Sequence, residues 1–203
     1  MITKTAMGHL ISIGRKASQD RPQFVCQAFT PEWNAFVETW AAKAYAFIWH
    51  ALGPYGKEPL PEIIRMPDGF HSSGATASFH PGTGQITLAE VVVNNPGQTM
   101  EKLTHELIHA SLALFPEGDP FYEEGTADYS TFIMAHAPYW EPYRDVMIEA
   151  AAHNIETRRE RAFSTHTDYD CKRWAGGLYA SMAYGPFIIA RLRQKKQAGD
   201  YTW

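Results

Sequence analysis

The chain has 203 residues, 45% of them hydrophobic and 20% charged, an ordinary mix for one domain with a sizeable core. Its 18 Lys and Arg against 22 Asp and Glu leave a net charge of −4, which removes the usual reason to expect a nucleic-acid partner. Two distant cysteines, Cys26 and Cys171, argue against a disulfide framework and a thiolate metal site, and no apolar run is long enough to span a bilayer.

Residues 1–29 lack clear periodicity and read as an N-terminal arm ahead of a single domain over 30–203. The opening "MITKTAMGHLISIGRK" lacks the continuous apolar core of a secretory signal, so the default expectation is a cytoplasmic protein. Residues 30–53 read as a long helix: Thr30 is placed to cap it, Pro31 suits its first turn, and Gly53 with Pro54 stops it. Trp33, Phe36, Val37, Trp40, Ala44, Phe47 and Ile48 recur at helical spacing and make a core-facing stripe.

"LPEIIRMP" (60–67) reads as a short strand between prolines, and 74–90 as a hairpin turning at "HPGTG". Helices are expected at 95–116, 119–138 and 139–162, then a polar loop "STHTDYDCK" (164–172), then a last helix over 173–197. "RLRQKKQ" (191–197) reads as a solvated helix end. The order of elements, helix then small sheet then several helices, is that of an α+β domain.

The chemistry concentrates in "LTHELIHASL" (103–112). His105 and His109 stand four apart on the expected helix, so both face one way about one turn apart. Two imidazoles at that spacing can bind one zinc ion, and Glu106, about 100° round the helix, can reach a water on the metal's open position as a general base. A catalytic zinc needs a third protein ligand. The next helix carries "FYEEGTADYS", where Glu124 and Asp128 are four apart on one face. Glu124 is the candidate ligand, and Asp128 the acid that orients a ligand histidine. Glu123 points elsewhere, and Gly125 leaves room for a close helix approach. Leu112 and Phe115 stand where a longer H-E-x-x-H-x-x-G-x-x-H pattern would place glycine and a third histidine. His71, His80, His136 and His153 lack partner spacing and read as non-ligands.

"HELIH" followed by "EEGTADY" resembles the gluzincin metallopeptidases, most of all the plant and bacterial basic-secretory-protein type with its "EGIADY"-like element. "RWAGGLYASMAYG" (173–185) is similar to the "RWDQGY" segment of that type. The resemblance implies a zincin-like domain: a small mixed sheet with the active-site helix, a mainly helical C-terminal half, and a cleft between them. It implies one Zn2+ held by His105, His109 and Glu124, with Glu106 as general base and Asp128 bonded to a ligand histidine.

The expected activity is peptide-bond hydrolysis on a peptide or protein substrate, with no nucleic-acid or membrane partner. Another zinc-dependent amide hydrolase of narrow range, or a non-catalytic zinc-containing binding module, is the alternative. In related enzymes a tyrosine or histidine from a later segment steadies the oxyanion. Tyr179 and Tyr184 on the last helix, and His166 and Tyr169 in the polar loop, are the candidates here. An edge strand of the 74–90 hairpin is placed to bind a substrate backbone as an added strand.

Overall fold

The computed structural model describes residues 4–20, 22–27, 30–52, 60–65, 76–89, 95–112, 120–164, 169–185 and 195. Within the expected N-terminal arm lies a helix, α1 (Lys4–Ala17), whose Leu10, Ile13 and Ala17 are buried in the main core. Those three recur at i, i+3 and i+7, an apolar stripe on an otherwise largely polar helix. A two-residue strand, β1 (Cys26–Gln27), follows.

The long helix α2 (Pro31–Leu52) forms where its stripe predicts. The Trp33 N–H reaches Thr30 Oγ1 at 3.4 Å and the Asn34 N–H reaches the Thr30 carbonyl at 2.9 Å, so Thr30 caps the helix ahead of Pro31. Val37, Trp40, Ala41, Ala44, Phe47 and Ile48 are buried on one side of it. Trp140, fully buried from a short 3-10 helix (Pro138–Trp140), stacks on this face with ring centroids 5.1 Å from Trp40 and 5.3 Å from Phe47.

The sheet has four short strands: β1, β2 (Glu62–Arg65), β3 (Ala77–His80) and β4 (Gln85–Leu88), in spatial order β1-β2-β4-β3. β1 with β2 and β2 with β4 are parallel, while β3 and β4 form the expected antiparallel hairpin. Gly84, at φ 67°, closes the hairpin turn in the left-handed region that glycine enters without a Cβ clash. Ile63 and Ile86 are register partners, and both are fully buried. Each contributes roughly 1.5–3 kcal/mol by leaving water. β3 is the edge strand on the β4 side of the sheet and lies against the next helix.

Four more helices among the described residues complete the α+β layout. They are α3 (Pro96–Leu112), α4 (Pro120–Ala135), α5 (Arg144–Ser164) and α6 (Tyr169–Tyr184). Asn95 caps α3: its Oδ1 accepts the Gln98 N–H at 3.1 Å and its carbonyl accepts the Thr99 N–H at 2.8 Å. α3 is buried on nearly every side, because α2, the hairpin, α4 and α5 all pack on it.

Three expected boundaries move. The helix expected over 139–162 is divided into the 3-10 turn and α5. The loop expected over 164–172 already belongs to α6 from Tyr169. The helix expected over 173–197 is described only as far as Tyr184, and its basic end, apart from Lys195, falls outside the described residues. No described helix is long and apolar enough to cross a membrane.

Candidate metal centre

α3 delivers His105, Glu106 and His109, and α4 delivers Glu123, Glu124 and Asp128 to the facing surface. α4 packs on α3 and also lies tightly along α6, and Gly125 permits the second contact. A Cβ at position 125 would stand 2.6 Å from Leu178 N and 3.1 Å from Gly177 C, and it would overlap the Trp174 carbonyl. The missing Cβ therefore fixes the depth at which Glu124 and Asp128 sit.

The two imidazoles converge. Nε2 of His105 and Nε2 of His109 are 3.0 Å apart. Glu124 meets both, with Oε2 3.3 Å from His105 Nε2 and Oε1 3.3 Å from His109 Nε2. One ligand atom from each of the three residues lies within 4.8 Å of the others, close enough to hold a metal ion. A neutral histidine offers one nitrogen lone pair, and an ionised carboxylate offers only acceptors. Such acceptors facing one point repel unless a proton or a cation stands among them. The donor set of two imidazole nitrogens and a carboxylate oxygen thus fits a divalent cation that takes N and O ligands.

The other side of His105 is held as a ligand histidine's would be. Its Nδ1 lies 2.8 Å from Asp128 Oδ1, at ion-pair distance but off hydrogen-bond alignment. That contact assigns Nδ1 as the protonated nitrogen and leaves Nε2 for the shared point. Asp128 is itself fully enclosed. Its Oδ1 accepts from Asn154 Nδ2 at 2.9 Å, and its Oδ2 accepts from Trp174 Nε1 at 2.7 Å and Arg158 Nη1 at 3.0 Å. Asn154 also reaches Glu101 Oε1 at 3.4 Å, and Lys102 pairs with the same buried carboxylate at 3.0 Å. Glu101, His105 and Asp128 are also mutually close enough to hold an ion, but both Asp128 oxygens are already taken by these donors.

The electrostatics favour a cation. Burial alone would lower the pKa of His105, yet the charge of Asp128 and the close contacts with Asp128 and Glu124 raise it to about 10. Burial would raise Glu124 and Asp128. The histidine hydrogen bonds hold Glu124 far below the usual carboxylate range, and the charge of His105 holds Asp128 down. Glu101 is pushed up by its burial despite the charges of Lys102 and His105.

Glu106 is 8% exposed on the side of α3 that faces the sheet edge. Its Oε2 accepts the Phe79 backbone N–H of β3 at 2.8 Å. Glu123 Oε2 lies 4.0 Å from His109 Nδ1, on the side away from Nε2. His80 meets Thr87 Oγ1 and His136 meets the Phe132 carbonyl, so both have ordinary partners away from the cluster.

Tyr179 and Tyr184 are exposed on α6, 48% and 73%, and neither is among the described contacts of the cluster. The face of α6 that reaches the cluster is the one carrying Trp174. His166, His71 and the side chain of Tyr169 fall outside the described residues.

Sequence reading missed Arg158, Asn154 and Glu101. Two weak signals were present: Asn154 and Arg158 are four apart, and so are Glu101 and His105, which places each pair on one helical face. No family model, curated protein or solved structure matches this chain.

Proposed function

We propose that the protein is a zinc-dependent metallopeptidase with a zincin-like domain, His105, His109 and Glu124 holding one zinc ion and Glu106 acting as general base. The observation that carries this reading is the convergence of His105 Nε2, His109 Nε2 and the Glu124 carboxylate, with Glu106 next to His105 on the same helix and one of its oxygens tied to β3. Three donors converge among the described residues, and a three-ligand set suits a catalytic site, whereas a structural zinc closes with a fourth protein ligand.

When bound, zinc supplies a Lewis acid for the scissile carbonyl and lowers the pKa of its water toward about 7. Glu106 takes the proton of the attacking water and delivers it to the leaving amine. The Phe79 N–H fixes one carboxylate oxygen of Glu106, so the other is presented in one orientation for the proton. Asp128 keeps the His105 ring in the tautomer that offers Nε2 to the ion. β3 is an edge strand beside Glu106, which suits an extended peptide added along it.

The test is hydrolysis of an unstructured protein by the zinc-loaded wild type and by Glu106→Gln. The variant is expected to keep its zinc and lose roughly 10²–10⁴-fold in rate. Wild-type turnover in Glu106→Gln would remove Glu106 from the reaction.

A further inference from the structure

Arg158 bridges the candidate metal ligand Glu124 and the orienting acid Asp128. A single nitrogen, Nη1, sits 2.7 Å from Glu124 Oε2 and 3.0 Å from Asp128 Oδ2. The two acids are one helical turn apart on α4, so without a cation between them their charges would repel. Arg158 comes from α5, packed across both α3 and α4.

The contact also makes the two oxygens of Glu124 unequal. Each oxygen lies 3.3 Å from one imidazole Nε2, Oε2 from His105 and Oε1 from His109, but Oε2 also accepts a short charge-assisted hydrogen bond from Arg158. An oxygen already committed to a guanidinium is a poorer ligand atom.

We infer that Arg158 is a positioning residue that makes Glu124 a one-oxygen ligand through Oε1. A bidentate Glu124 would fill a position that the reaction needs open. The same contact holds the carboxylate in place before any ion arrives. This inference rests on the metal-centre reading above, and its test separates the two.

The full chain is stripped with a chelator and titrated with Co2+, whose visible absorbance is stronger in a four-coordinate site than in a five-coordinate one. Zn2+ affinity is then read by competition. The wild type is expected to give the strong four-coordinate spectrum, from two histidines, one carboxylate oxygen and water. Arg158→Met is expected to give a weaker five-coordinate spectrum and a Zn2+ affinity about 10–100-fold lower. Arg158→Lys, whose ammonium can lie between the same two oxygens, is expected to recover part of that loss.

A five-coordinate wild-type spectrum overturns the inference without needing any variant to fold. So does an Arg158→Met protein with the wild-type spectrum, whatever its affinity. Failure of the wild type to take up Co2+ or Zn2+ at all overturns the metal-centre reading, and the inference with it.

Discussion

Asp128 is ionised although it is buried, because His105, Arg158, Asn154 and Trp174 all face its two oxygens. Replacing it with Asn keeps the shape and removes the charge that fixes the His105 tautomer. Asp128→Asn is therefore expected to lower Zn2+ affinity by about 10–100-fold, measured by competition with a chelating dye. An unchanged affinity would show that Asp128 does not orient the ligand.

At this scale the sequence was informative where partners lie within one helix. His105, Glu106 and His109 share α3, and Glu124 and Asp128 share α4, so their spacing alone placed them. Arg158 gave only the weak signal of its spacing from Asn154, because its acidic partners are 34 and 30 residues away on another helix. Tyr179 and Tyr184 were attractive as hydroxyl donors in the right segment, but the helix turns them toward solvent. Which face of α6 meets the cluster is decided by Gly125, Trp174 and Leu178 packing together, a fact of tertiary contact rather than of spacing.

Among the elements, the α4–α6 contact is the most exacting. At position 125 a side chain would meet backbone of the opposite helix, which cannot rotate away. Gly125→Val is expected to destabilise the fold by about 3 kcal/mol or more, read by urea denaturation, and to lower metal affinity by shifting Glu124. Gly8→Ala is the contrasting case. Gly8 lies exposed inside α1, and a Cβ added there would meet nothing within 4 Å, so the change should stabilise by roughly 0.5–1 kcal/mol. Equal effects at the two positions would refute the packing account of Gly125. α2 and the β3–β4 hairpin were legible because a cap, a proline and a glycine turn mark their ends. α1 was not, since its apolar residues, although gathered on one face, are few among polar ones. The start of α6 was hidden by the polar run before it.

For the whole molecule, two buried acids set the alkaline limit of stability. Burial, helped by the charge of Glu38, pushes the Cys26 thiol up to about 12, and burial pushes the Tyr45 hydroxyl up to about 12. An unfolded thiol ionises near 8.5 and an unfolded tyrosine near 10, both rough reference values. Their contribution is complete below those pH values and is lost as pH rises toward 12, because only the unfolded chain releases the protons there. The melting temperature should fall over that window, and Cys26→Ala should flatten its first part. A flat profile in the wild type would contradict the burial of both groups.

The fold class was legible from the order of elements. The parallel pairing of β1, β2 and β4 was not, because it joins segments far apart in sequence. A bound ion at a site made from two of the packed helices should also stabilise the whole fold by mass action. Chelation is thus expected to lower the melting temperature of the zinc-loaded protein.

The central claim is that two histidines of α3 and one glutamate of α4 hold a single zinc ion. Elemental analysis of the dialysed wild type beside Glu124→Ala tests it most directly. About one zinc per wild-type chain, much reduced in the variant, is the expected result. Little zinc in the wild type after reconstitution, or full zinc in both proteins, would contradict it.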